Sequence, residues 1–264
     1  MKLAIVVPVF NAREYTEKFL PTVYSEHHEI KFFLIDNNST DGTTKMFRDL
    51  CHKEAKYSFV RNDENKGVAS SWNQGIKMAI AEGYERFLVC NNDILLRKDT
   101  IDNLMDLMTK EEFGFLTPIN LREEVNAPEE VFEFVPKEIT FAIHGAADFS
   151  CFLLTKACYE DTGEVDEGFK IAYFEDNDYV WRMHLANHKV GQTTGAMYYH
   201  FGSRTQNQVP GGLVEGQKFQ KNKQYFIEKW GIEPVCEFEK MEAQYHKTPF
   251  NDANKNHKYT EQYG

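Results

Sequence analysis

The first ninety residues alternate between short apolar runs and amphipathic stretches. Residues 3–9 form a continuous run of largely β-branched and aliphatic side chains, the pattern of a strand covered on both faces. A helical period follows over residues 13–24, and residues 31–35 predict a second buried strand that stops at Asp36. The string Asn37-Asn38-Ser39-Thr40-Asp41-Gly42 is dense in turn and N-cap residues and opens a helix running to about Cys51. Residues 57–60 predict a third strand, 67–81 a third helix, and 85–90 a fourth strand that stops at Asn91-Asn92-Asp93. Strands alternating with helices in this way predict βαβ units and a mostly parallel sheet. Ligands of such sheets bind beyond the carboxyl ends of the strands, near a switch in strand order. Asn11, Asp36, Asn65 and Asp93 all follow strand ends, so their placement alone marks a candidate site.

The second half is less regular. It predicts a helix over 100–110, a strand around 113–117 and an acidic excursion over 121–137 that contains Pro128 and Pro136. A buried segment over 148–154 leads into a short helix, followed by an amphipathic helix over 174–187 and a strand over 189–194. A polar, Gly-rich loop over 201–212 precedes a last helix over 216–230. Beyond about residue 240 the chain turns polar, as a peripheral tail does. No internal repeat and no linker separates autonomous units.

Composition narrows the class. With 42% hydrophobic residues among 264, the chain can bury a substantial core, yet no run reaches the roughly 18–20 apolar residues that span a bilayer. Peripheral membrane contact stays compatible with this. The apolar N-terminus lacks a small-residue cleavage site and predicts a strand rather than a secretory signal. Thirty Lys and Arg against 41 Asp and Glu give a net charge of −11, which leaves room for a local contact with nucleic acid but not for an electrostatic grip on it. Five scattered cysteines without a C-x-x-C spacing fit reduced thiols and a cytoplasmic protein better than a disulfide or zinc scaffold.

The candidate chemistry sits in short polar strings. Pro8-Val9-Phe10-Asn11 ends the first strand in a turn able to present backbone groups to a flat ring. Asp36 could accept hydrogen bonds from a nucleobase or ribose, while Ser39 or Thr40 caps the next helix. Asn65-Lys66-Gly67 opens a helix carrying Trp72 and Asn73, and free amides with a lysine there suit a diphosphate as well as an ordinary surface turn. Asp93 is the obvious oxygen ligand for Mg²⁺ or Mn²⁺, with Asn91 or Asn92 assisting. In Glu175-Asp176-Asn177-Asp178 the acidic side chains favour a helix N-terminus. Asp178 pairs most simply with Arg182 four residues on, which leaves Asp176 without a local partner and able to face a pocket. His200 has a structural use or a ligating one. Neither a G-x-G-x-x-G string after the first strand nor a P-loop string occurs, which removes the main support for a dinucleotide dehydrogenase or a P-loop NTPase.

In this order the strings resemble the family 2 glycosyltransferases over residues 3–230, most of the chain. The resemblance implies the GT-A fold, a Rossmann-like α/β architecture with a mostly parallel central sheet flanked by helices and a smaller acceptor-side region. It implies a nucleotide-sugar-binding half over 1–95, an acceptor and catalytic half over 96–232 in the same continuous domain, and a peripheral tail over 233–264. It implies a hexosyltransferase-like enzyme in which Asp36 recognises the base of a nucleotide sugar, helped by Pro8, Val9, Phe10, Asn11, Asn38, Asn65, Lys66, Gly67, Asn73, Asn91 and Asn92. Asp93 and His200 would hold Mn²⁺ or Mg²⁺, Asp176 would be the base, and direct displacement would invert the anomeric centre. UDP is favoured over dTDP as the carrier, and a glycan or other hydroxyl-bearing acceptor would meet Asp148, Phe149, Glu175 and Trp181. Asn91 stands where the family's D-x-D element begins with an aspartate, which predicts weaker metal binding unless His200 compensates. The alternatives are a sugar-nucleotide-forming nucleotidyltransferase, for which the glycine- and cation-rich loop after the first strand is missing, and a non-catalytic sugar- or nucleotide-binding module.

Overall fold

The computed structural model describes residues 1–142, 147–170, 173–202, 215–234 and 238–245. The first half contains β1 (Lys2–Val9), α1 (Arg13–Phe19), β2 (Glu29–Asp36), α2 (Thr43–Lys53), β3 (Tyr57–Arg61), α3 (Val68–Ala81) and β4 (Arg86–Cys90). Then come β5 (Ile94–Leu96), α4 (Thr100–Lys110), β6 (Phe115–Asn120), β7 (Phe141–Ala142), β8 (Cys151–Thr155), α5 (Lys156–Thr162), α6 (Glu175–Leu185), β9 (Val190–His200), α7 (Glu215–Trp230) and α8 (Phe238–Tyr245).

All nine described strands join one sheet in the order β3-β2-β1-β4-β8-β6-β9-β5, with β7 paired to β9. The pairings β3-β2, β2-β1 and β1-β4 are parallel, as the repeating βαβ pattern requires. Beyond β4 the sheet is mixed: β8 runs antiparallel to β4 and β6, β5 and β7 run antiparallel to β9, and only β6-β9 is parallel. The predicted α/β architecture with a helix-flanked central sheet is therefore present, and its continuous parallel part is the first four strands.

Along β1 one face carries Leu3, Ile5, Val7 and Val9 into a core with Phe19, Phe47, Leu104 and Met105 from helices on that side. Ala4 and Val6 on the other face join Trp72 and Ile76 of α3 and Val180 and Met183 of α6. Both faces are covered, which is why the strand is apolar without alternation. A Cβ at Gly75 would overlap Val6, so α3 lies directly on β1.

Several elements differ from the sequence expectation. The first helix ends at Phe19 and tightens into a 3₁₀ turn over Leu20–Thr22 containing Pro21, whose ring cannot continue the α-helical bonding pattern. The strand expected over 189–194 runs on to His200, because Gly191 and Gly195 interrupt the apolar pattern but not the backbone pairing. The three-residue β5 was too short to show a period. Within the acidic excursion a 3₁₀ turn over Pro128–Phe132 buries Val131 completely. In the expected tail, α8 buries Met241 in a cluster with Trp181, Phe226 and Trp230. The polar loop's residues 203–214 and the chain after 245 lie outside the described residues.

Candidate active site

Strand order reverses between β1 and β4, and a cleft of about 350 Å³ opens beyond their carboxyl ends. Asp93 lies in the turn between β4 and β5 and is 3% exposed. The antiparallel register sets Ile94 opposite His200, and the Phe201 N–H donates to the Asp93 carbonyl at 3.0 Å. Two residues 107 positions apart are thereby joined, with His200 Nε2 at 3.1 Å from Asp93 Oδ1. Pairing of β4 with β8 sets Cys90 opposite Cys151, and the Asn91 N–H donates to the Ser150 carbonyl at 2.8 Å. This places Ser150 Oγ at 3.1 Å from His200 Nδ1.

The opposite wall comes from the start of α6. Glu175 and Asp176 both line the cleft, facing Asp148 and Phe149 from the segment before β8. The two residues before the helix, Tyr173 (φ 85°) and Phe174 (φ 71°), sit in the left-handed region, where bulky side chains are strained. That local cost aims the acidic pair inward. Burial pushes the Glu175 carboxyl up to about 8, with the Asp176 charge adding to it, and Glu175 Oε2 has no hydrogen-bond partner. Burial also raises Asp176, reinforced by Asp148. Asp178 points away: it meets Arg182 Nε at 2.9 Å, as its spacing predicts, and Lys229 Nζ at 2.6 Å. Burial pushes the Asp178 carboxyl up, but the two cations override this and hold it below the ordinary range.

Of the donor-side candidates, Pro8, Val9, Phe10, Asn65, Gly67, Asn91 and Asn92 line the cleft. Six others do not. Asp36 is fully buried, accepting from the Ser39 N–H at 2.8 Å and from the Thr44 hydroxyl, so it folds the turn rather than facing a base. Asn11 accepts from the Thr40 N–H at 2.8 Å, and Asn38 accepts from Arg61. Lys66 is exposed on the surface. Asn73 is clamped to Val165, donating to its carbonyl at 2.8 Å and accepting from its N–H at 2.9 Å. Trp181, expected on the acceptor, is completely buried in the cluster with Trp230. Asn92 lines the cleft while its amide nitrogen donates to Thr16 Oγ1 at 2.9 Å.

The structure adds Asn37, Val68, Trp72 and Ala147 to the lining, together with Ser150 and Tyr173. Asn37 could have been found from strand parity, since it follows the fully buried Asp36 at the end of β2. Ser150 and Tyr173 belong to the polar and aromatic strings that the sequence offers for an acceptor pocket, and non-local pairing and a strained turn bring them to the lining.

A divalent cation fits the donor set. Octahedral ligands at ~2.1 Å from Mg²⁺ stand about 3.0 Å apart when adjacent, and Asp93 Oδ1 and His200 Nε2 are separated by 3.1 Å. Among the described residues no cluster of three or more His, Cys, Asp or Glu side chains could hold an ion, so the remaining positions would fall to water and substrate oxygens. The cleft is lined by four carboxylates, Asp93, Asp148, Glu175 and Asp176, and by no Lys or Arg among the described residues.

The family model for glycosyl transferase family 2 matches residues 4–137, and the chain belongs to that family. It is similar to the putative teichuronic acid biosynthesis glycosyltransferase TuaG of Bacillus subtilis, 25% identical over 141 residues, covering 53% of this chain and 55% of that protein. Among solved structures it resembles TarS of S. aureus with a TM-score of 0.64 at 16% identity, covering 93% of this chain and 43% of TarS. It also resembles GalNAc-T7, solved with UDP, GalNAc and Mn²⁺, with a TM-score of 0.71 at 12% identity, covering 99% of this chain and 55% of that one. The chain thus spans about half the length of these relatives. Its fold is the GT-A fold. Among the described residues no helix is long and apolar enough to cross a membrane.

Proposed function

We propose that this glycosyltransferase is metal-dependent and inverting, and that it moves a sugar from a UDP-sugar to a hydroxyl-bearing acceptor, a glycan or glycoconjugate. One observation carries this reading: Asp93, His200 and Asp176, widely separated in the chain, line one cleft that has four carboxylates and no described cationic side chain. A diphosphate entering such a cleft needs positive charge, and Asp93 and His200 are the residues that would hold it as Mn²⁺ or Mg²⁺. The bound cation would act as a Lewis acid on the departing diphosphate.

Asp176 takes the proton of the attacking hydroxyl. Burial, reinforced by the Asp148 charge, raises its pKa, which strengthens it as a base. One carboxylate acting as base on the face opposite the leaving group gives direct displacement, hence inversion. Pro8, Phe10 and Asn37 line the donor end, where the peptide edges of β1 and β2 meet a flat base. TarS has been solved in complex with UDP-GlcNAc, which supports UDP as the carrier. Cysteine usage supports a cytoplasmic setting.

The test is release of nucleoside diphosphate from a panel of UDP-, dTDP- and GDP-sugars, with Mn²⁺ and with chelator. Turnover is expected from a UDP-sugar with Mn²⁺ alone. Asp176→Asn should keep UDP binding and lose at least about 100-fold in transfer, the scale of a general-base contribution. Full turnover in chelator would overturn the metal reading, and full turnover by Asp176→Asn would overturn the base.

A further inference from the structure

We infer that Ser150 is a positioning residue for His200, the hydrogen-bond partner that lets the imidazole exchange the Asp93 carboxylate for a divalent cation. This rests on the metal reading above. His200 Nε2 lies 3.1 Å from Asp93 Oδ1, and a ring with its proton on Nε2 donates to that oxygen. In that tautomer the lone pair is on Nδ1, and Ser150 Oγ, 3.1 Å away, is placed to donate its hydroxyl proton there.

Ligation requires the other tautomer, with the lone pair on Nε2. One proton leaves Nε2 for water and one is taken up from water at Nδ1, so the ring stays neutral. Nδ1–H then donates to Ser150 Oγ, which becomes the acceptor after rotation of its own O–H bond alone. A hydroxyl serves both tautomers. A carboxylate or a main-chain carbonyl, which only accepts, would serve the ligating form alone.

Ser150 is built for this position rather than left there by a loop. Its carbonyl accepts from the Asn91 N–H at 2.8 Å, and its own N–H donates to Asp148 Oδ1 at 2.8 Å. Two backbone bonds therefore fix the Cα from which Oγ reaches the ring. The next residue, Cys151, enters the antiparallel pairing opposite Cys90, so the site inherits the rigidity of the central sheet. Partners on the far nitrogen of a ligating histidine set both its orientation and its basicity, and their loss typically costs 10–100-fold in metal affinity.

The experiment measures Mn²⁺ affinity of the full chain with UDP present, from the electron paramagnetic resonance signal of free Mn²⁺. A ¹⁵N spectrum of the His200 ring is recorded in parallel, without metal and with diamagnetic Mg²⁺ and UDP. Wild type should show the Nε2–H tautomer without metal and Nδ1–H with it. Ser150→Ala should bind Mn²⁺ about 10–100-fold more weakly, and Ser150→Thr, which keeps the hydroxyl, should recover most of that loss. Mn²⁺ affinity of Ser150→Ala within twofold of wild type would overturn the proposal, as would Ser150→Thr binding no better than Ser150→Ala. Asp93→Ala and His200→Ala separate the two levels. If neither weakens Mn²⁺ binding, the metal reading itself fails; if both do and Ser150→Ala does not, only the role of Ser150 fails.

Discussion

Glu175 is the residue whose ionisation most constrains the site. Buried beside Asp176, it holds its proton to about pH 8 in the folded chain, whereas an ordinary glutamate releases it near 4.5. Between those values the folded state binds a proton that the unfolded state does not, so stability is full below 4.5 and falls as pH rises toward 8. Glu175→Gln cannot lose that proton. Its melting temperature should match the parent near pH 4.5 and exceed it at pH 8; parallel profiles for the two proteins would contradict this. The same buried, protonated carboxyl explains how Asp176 can act as a base next to another acid without both carrying charge. Residue-scale reading from sequence was uneven for physical reasons. Asp93, His200, Glu175 and Asp176, which the structure brings to one cleft, stand out as candidates because ionisable side chains lie at strand ends and a helix start. Asp36, Asn73 and Trp181 carried equally suggestive signals, but each is spent on the fold: a turn, a loop clamp and a core.

At the scale of elements, the site depends on how α6 and α7 are fastened. Lys229 of α7 reaches Asp166 at 2.7 Å and Asp178 at 2.6 Å, and its side chain is only 1% exposed. Asp178 also accepts from Trp230 Nε1 at 2.8 Å. Burial pushes the Asp166 carboxyl up, but the Lys229 ammonium overrides this and holds it at about 2. Removing the cation strands buried carboxylates, so Lys229→Met should destabilise by ~3–5 kcal/mol in urea unfolding, on the scale of breaking a buried ion pair. A loss under 1 kcal/mol would show that the network is dispensable. The helices were legible from their apolar period, and Asp178–Arg182 from its i, i+4 spacing. The third partner, 51 residues downstream, had no local signal. Strand β9 was read short because glycines in a paired strand weaken the apolar pattern while keeping every backbone bond.

For the whole molecule, the charge of −11 and the Asp93, Asp148 and Asp176 side chains of the cleft act in the same direction, while Glu175 keeps its proton. On the proposed function, UDP by itself would meet repulsion, and a cation by itself would meet only Asp93 and His200 among the described residues. Each should stabilise the other. Ligand binding stabilises the folded state by about 2.7 kcal/mol at a hundred times the dissociation constant, which for a chain of this size corresponds to a shift of roughly 5–10 °C. Thermal unfolding should therefore rise by several degrees with UDP and Mn²⁺ together and by far less with either alone. An equal rise with UDP in chelator would count against the coupling.

The alternation of apolar runs and helical periods determined by itself the βαβ half of the fold, since each segment's burial is written in its own side chains. The order of its polar strings likewise marked the family. Only the tertiary structure decided that the sheet turns mixed after β4, that Asp93, Ser150 and His200 meet, and that Asp36 turns inward. Those outcomes depend on strand register between segments tens to a hundred residues apart, which no local pattern encodes. A shift of one residue in β9 would carry His200 to the other face and leave its sequence signal unchanged.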